Sequence, residues 1–209
     1  MNRSLRGASN IRASSQTVGS DAGIWTFNFS DFPVYSRQLV LLWRSLDALT
    51  EGQLNPIDVP FFDYEKTYQP LVDLDDTAVP HSDDAYFSDN AGYVSSRSDV
   101  STASAGALRA TSLDLSIVFS GDIEPGQHFS IDHTTKGNRL YRIKTATYTS
   151  SSEVSLTFNP PLREAVTTGT KIEFDRPVCQ CKLASDQEMS LTLQPAQYGF
   201  PSVGFIEDL

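Results

Sequence analysis

Thr111-Ser112-Leu113-Asp114-Leu115-Ser116-Ile117-Val118-Phe119 alternates apolar and polar side chains over most of its length. Leu113, Leu115, Ile117 and Phe119 fall on one side; Ser112, Asp114 and Ser116 fall on the other. Successive side chains of a strand point to opposite faces, so the pattern predicts a half-buried β-strand. Further short runs follow at 127–132, 140–148, 154–158, 171–174 and 178–183, rich in Val, Ile, Thr, Phe and Tyr. Turn formers separate them: Glu124-Pro125-Gly126, Lys136-Gly137-Asn138, Ser150-Ser151-Ser152 and Thr168-Gly169-Thr170. Strands of this length at this spacing predict a small β-barrel or sandwich over 105–185. Residues 189–193 and 200–205 are expected to close the chain as strands, with 186–209 returning to the first domain.

The first half reads differently. In residues 24–29, Trp25, Phe27 and Phe29 share one face and Thr26 and Asn28 the other, again a strand. Residues 36–50 predict the one helix, capped by Ser36 and ended by Gly52. At about 100° per residue, Leu39, Leu42, Trp43, Leu46 and Leu49 form a stripe roughly 120° wide. Arg37, Arg44, Asp47 and Glu51 lie opposite, with Val40 and Leu41 flanking the charged side. Pro56 and Pro60 confine 54–62 to an edge strand or extended segment. Residues 63–104 lose regular pattern and hold Asp73, Asp75, Asp76, Asp83, Asp84 and Asp89. This acidic loop is counted with the first domain, 23–104. Residues 1–22 carry Arg3, Arg6 and Arg12 and read as an extended basic arm.

Composition limits function. The chain has 209 residues, enough for a real core, with 16 Lys and Arg against 26 Asp and Glu. Such an acidic balance argues against a nucleic-acid partner. No run approaches the ~20 apolar residues of a membrane span, and no apolar core follows the first arginines, so no membrane insertion and no secretory leader are expected. Synthesis in a cytoplasm follows. Cys179 and Cys181, two apart on a strand, are expected as neighbouring buried thiols. There is no Gly-x-Ser-x-Gly elbow and no Gly-rich phosphate loop. His128 and His133, five apart, should face opposite sides of their strand, and His81 stands alone. Asp73 and Asp75 match the start of a calcium loop, but Ala78 and Asp84 stand where its Gly and Glu belong. No catalytic residue, cofactor or metal is assigned, and the chain is read as not an enzyme.

A wider constellation runs through Val18-Gly19-Ser20-Asp21-Ala22-Gly23-Ile24-Trp25, then Trp43-Arg44 and Leu46, then Glu51-Gly52, Leu54, Asn55 and Pro56. It continues with Gly126 and Phe129, Leu140-Tyr141-Arg142-Ile143, Pro160-Pro161-Leu162-Arg163 and Thr168-Gly169-Thr170. In order and spacing this resembles the minor tail proteins of long-tailed bacteriophages, the siphophage and prophage distal tail or tail-tip hub family. The resemblance covers nearly the whole chain and leaves out the acidic loop. It implies a mainly β fold: an N-terminal β-sandwich-like domain with one amphipathic helix, plus a second small β-barrel or sandwich. It implies a structural virion protein that forms a ring, hexameric in many members. The ring joins the tail tube protein to the tail-tip hub and receptor-binding proteins.

Within a ring, surfaces without a local reason find one. Val40 and Leu41 are expected as an apolar seam. Arg3, Arg6 and Arg12 and the loop acids Asp73, Asp75, Asp76, Asp83 and Asp84 are expected to form Arg–Asp contacts between adjacent subunits or with the next tail protein, the charges setting register. The competing reading is a β-rich carbohydrate- or receptor-binding module of the virion or cell surface. Trp25, Tyr64, Tyr68, Tyr86 and Tyr93 are its candidate stacking residues.

Overall fold

The computed structural model describes residues 5–9, 15–19, 23–61, 68–72, 78–79, 85, 87–88, 93–94, 96–193 and 199–209. The chain is mainly β with a single helix among the described residues. It divides into two units, Met1–Val59 with Cys179–Leu209, and Pro60–Val178. The second unit is thus one continuous segment, and the first is built from the chain on either side of it.

The second unit is a nearly closed barrel. Its sheet is formed by β7 (Asp99–Thr102), β8 (Ser112–Phe119), β9 (His128–His133), β10 (Gly137–Ser150), β11 (Glu153–Asn159) and β12 (Lys171–Ile172), in the order β12-β7-β8-β11-β10-β9. The two ends of that order meet. Ser130 and Glu173 exchange two backbone hydrogen bonds of 2.9 Å, which link β9 to the end of β12. Alternation fills the interior: Leu113, Leu115, Ile131, Ile143, Leu156 and Ile172 are all buried in one cluster. At its centre, Phe129 lies against Tyr141 at 5.4 Å, Phe158 at 5.6 Å and Phe174 at 5.8 Å between ring centroids. Burying each such ring stabilises the fold by about 1.5–3 kcal/mol. The alternation of β8 fades toward its end, where Ile117 is half-buried and Phe119 reaches solvent. Gly137, at φ 62, opens the strand after the β9–β10 turn in a left-handed conformation that favours glycine.

β7 was expected as loop. It joins the barrel because Val100 is fully buried and Thr102 is held by its hydroxyl, which donates to the Thr167 carbonyl at 2.6 Å and accepts from the Thr170 amide at 2.9 Å. Two further short strands, β5 (Ala78–Val79) and β6 (Tyr93–Val94), pair within the acidic stretch.

The first unit holds a four-stranded sheet of β3 (Thr26–Phe29), β14 (Val203–Glu207), β13 (Val178–Leu183) and β4 (Ile57–Pro60), in that order. β4, with its proline, is at an edge, where a missing N–H is harmless. The C-terminal strand β14 runs between β3 and β13, antiparallel to both. Cys179 and Cys181 are buried on one face of β13 and form no disulfide. The basic arm contains an antiparallel pair, β1 (Leu5–Ser9) with β2 (Ser15–Gly19).

Helix α1 (Arg37–Thr50) has the expected extent. The Ser36 hydroxyl accepts from the Leu39 amide at 3.3 Å, and Glu51 and Gly52 end the helix in left-handed conformations. Its rotation differs from expectation. Trp43 and Thr50 are buried and Leu39, Val40 and Leu46 half-buried, whereas Leu42 and Leu49 are 53% and 62% exposed. The cause is the indole. Trp43 Nε1 donates to the Met189 carbonyl at 2.7 Å, and its ring meets Phe32 at 5.9 Å. A buried N–H needs an acceptor, so the helix turns to give it one. The same bond explains why 189–193, expected as a strand, is none: Met189 has φ 63, and its carbonyl faces Trp43.

Gly106 gives the barrel a sharp test. It bridges Val166 through two backbone hydrogen bonds, and a Cβ there would come within 2.5 Å of Leu113, 2.8 Å of Leu162 and 2.9 Å of Val166. Overpacking of a filled core costs about 1–3 kcal/mol. Gly106→Ala is expected to lower the urea midpoint accordingly with an unchanged slope; an unaltered midpoint would mean that this wall gives way freely.

Candidate functional site

Two features of the described residues could carry function, one in each unit. Three groups are of residue types suited to catalysis. On β9, His133 lies on the barrel-facing side with Phe129 and Ile131, and His128 lies on the opposite side, as the five-residue spacing predicts. His133 Nε2 is 2.7 Å from the Tyr141 hydroxyl, which also accepts from the Arg163 amide at 3.2 Å. Which of the two groups donates in the His133–Tyr141 bond is set by the imidazole tautomer. Burial lowers the His133 pKa, Glu164 opposes that shift and Arg139 adds to it. This is a satisfied polar pair in a barrel wall. His128 stacks on Phe61 at 4.0 Å, and burial, then Arg142, push its pKa down to about 4. Glu164 binds the Thr135 amide and hydroxyl at 3.0 Å each, and these bonds, led by the amide, hold its pKa low. Among the described residues, no three His, Cys, Asp or Glu are placed to hold a metal ion.

The first feature is a face of α1. Gln38, Leu41, Leu42, Ser45, Ala48 and Leu49 are all exposed. At about 100° per residue they span some 120° of the helix circumference. None is charged. Arg37, Arg44, Asp47 and Glu51 all fall on the remaining arc beside the buried stripe. A solvated helix face normally carries charge, and an uncharged one with three leucines departs from that rule.

The second feature is a cavity of about 450 Å³ in the barrel unit, between residues 68–71 and 121–127. Its walls meet where the Gly121 amide donates to the Pro70 carbonyl at 3.0 Å. A Cβ on Gly121 would stand 3.1 Å from the Pro70 backbone, so glycine permits that approach. The 121–127 wall is pinned. Ile123 is buried in the barrel core and its amide donates to the Tyr148 hydroxyl at 2.7 Å. Gln127 uses both ends of its amide, accepting from the Glu124 amide at 2.8 Å and donating to the Asp122 carbonyl at 3.0 Å.

The facing wall is left unfinished. Gln69 is 8% exposed, and its Oε1 is buried without a hydrogen-bond partner. An unmade bond of this kind costs about 1–3 kcal/mol. Tyr68 beside it is 68% exposed, and Asp122 and Glu124 place two solvent-facing carboxylates at the rim.

Arg3, Arg12, Asp73, Asp75, Asp76, Asp83, Asp84, His81, Tyr64 and Tyr86 lie outside the described residues, and Arg6 and Tyr93 are described as strand backbone alone. Leu41 is 45% exposed, while Val40 is half-buried. Trp25 is 5% exposed, stacked on Phe27 at 6.2 Å, so its ring is closed to a sugar; Tyr68 is open to one. Leu42 and Leu49, which the periodicity places on the buried stripe, are exposed. Gln69, Asp122 and Glu124 were not singled out as site residues: the pattern at 124–126 signals a turn, and nothing local signals that 68–71 faces it. Compared with protein families and with curated proteins, the chain matches none.

His128 predicts a pH dependence. Folding holds it neutral down to about pH 4, whereas its ordinary pKa is 6.5. The folded state binds this proton less readily, so the contribution is complete above pH 6.5 and is lost as pH falls through 6.5 toward about 4. His128→Gln is expected to flatten that part of the stability–pH curve; parallel curves for the two proteins would exclude the assignment.

Proposed function

We propose that this chain is a structural subunit, not an enzyme, which works by assembling with copies of itself and with partner proteins. The uncharged, leucine-bearing face of α1 is the observation that carries the reading. In a lone subunit three exposed leucines on a charge-free arc gain nothing, and covering them with a protein surface gains apolar burial at no cost in stranded charge. The sequence resemblance to phage tail proteins supplies the setting. The chain sits in the virion tail, in a ring at its distal end, between the tube protein and the tip and receptor-binding proteins. It is made in the host cytoplasm before assembly. In that setting the four-stranded sheet with α1 is one layer of the sandwich-like first domain, and the barrel is the second domain. A cavity with an exposed tyrosine also favours the second reading, a glycan-binding module, and the two are compatible in one tail protein.

The seam therefore shifts from Val40 and Leu41 to Leu41, Leu42 and Leu49. Leu42→Asp with Leu49→Asp should leave a folded chain, because neither side chain is buried. It should sediment as a monomer where the unaltered chain forms a closed oligomer, and it should be missing from assembled tails. Val40→Asp is the contrast, expected to destabilise the fold because it places a charge at a half-buried position. A doubly substituted protein that assembles normally would refute the helix-face reading.

A further inference from the structure

We propose that the cavity between residues 68–71 and 121–127 binds a neutral saccharide, whose ring stacks on Tyr68 and whose hydroxyls pair with the Gln69 amide and the Asp122 and Glu124 carboxylates. Three properties of the site converge on this chemistry. The first is the exposed tyrosine beside a concave wall, a surface on which the C–H face of a pyranose packs. The second is Gln69, nine-tenths buried in that wall with an oxygen that has no partner. The last torsion of a glutamine is soft and roughly two-fold. A turn about it exchanges the oxygen and the nitrogen, so the amide can meet either a donor or an acceptor brought by a ligand. The third is the balance of the rim: two carboxylates accept hydrogen bonds.

The choice among ligand classes follows from what each can donate and accept. A phosphate or an acidic sugar brings negative charge to Asp122 and Glu124, and is repelled. A divalent cation needs several oxygens converging at about 2.3–2.6 Å. Among the described residues no cluster of three acidic, histidine or cysteine side chains offers that convergence. A lysine or arginine side chain also brings donors for the carboxylates and for the Gln69 oxygen, but no acceptor for the other end of that amide, so arginine amide is the competing probe. Hydroxyls both donate and accept, and vicinal hydroxyls serve an amide at its two ends and a carboxylate at once. The volume of about 450 Å³ lies in the range of ligand sites and suits a mono- or disaccharide.

The rigidity of one wall and the incompleteness of the other also fit binding. Gln127 is saturated by its own loop, so the 121–127 side is preformed and loses little freedom on association. Residues 69–72 are anchored by Arg97, whose Nε donates to the Val72 carbonyl at 2.8 Å and whose carbonyl accepts from the Val72 amide at 3.0 Å. The backbone on both sides is fixed, and the side chain left to respond is Gln69.

The test uses the full chain and three neutral probes, glucose, galactose and N-acetylglucosamine, titrated up to solubility and followed by the backbone amide signals of Leu71, Gly121 and Gln127. At least one probe is expected to shift these signals saturably. Tyr68→Ala and Gln69→Leu should each weaken that binding by at least about tenfold, with Tyr68→Phe retaining it. Gln69→Leu removes the orphaned oxygen, so its stability should be equal or higher while its affinity falls, a split that a purely structural role would not produce. All these variants should assemble like the parent, which keeps the cavity's role separate from that of the helix face. Absence of saturable shifts with all three sugars overturns the proposal. So does a response of the same signals to calcium chloride or to arginine amide in place of sugar.

Discussion

Two hydrogen bonds between Ser130 and Glu173 turn a six-stranded sheet into a nearly continuous wall, and much of the second unit follows from that join. Closing a sheet satisfies the strand edges that would otherwise recruit another chain. It also creates an interior of fixed size that side chains must fill. Phe129, Tyr141, Phe158 and Phe174 do so, with Leu and Ile around them. Their fit leaves so little slack that the wall at residue 106 has no room for a methyl group. The cavity depends on the same frame, because its firmer wall hangs from Ile123 in the barrel core and from Tyr148 on β10.

The first unit manages its sheet by other means. Its outer strands, β3 and β4, are only four residues each, and β4 carries Pro60. Short, proline-bearing edges are poor templates for a further strand. In the assembly proposed above, such edges favour contact through the helix face over strand addition. That agrees with where exposed leucine is concentrated.

The strands read best from sequence where burial alone dictates the residues. Residues 178–183 match β13 end to end, and residues 154–158, inside β11, alternate cleanly between inward and outward side chains. β7 escaped because its inward positions are Val100 and Thr102, and a threonine held by its own hydroxyl does not look hydrophobic. The helix was legible in extent and not in rotation. Hydrophobic periodicity averages over side chains, whereas one indole N–H and its acceptor fix the angle here. The cavity was the least legible feature. Its two walls are some 50 positions apart in the chain, brought together by one glycine whose missing side chain lets two backbones touch. An orphaned amide is a property of three-dimensional surroundings, with no local pattern to announce it.

The chain's threading has a temporal side. Trp25 and Glu207 are joined by paired hydrogen bonds across 182 positions, and the described strand partner of β3 is β14. During synthesis from the N-terminus, every residue of the barrel emerges before β14 does. The barrel, being continuous, can complete its own contacts while β3 and α1 still wait. Strand β3 and the leucine-bearing helix thus precede their C-terminal strand by the whole time that the ribosome takes to deliver the inserted segment, so the first unit can close only after the barrel has been made.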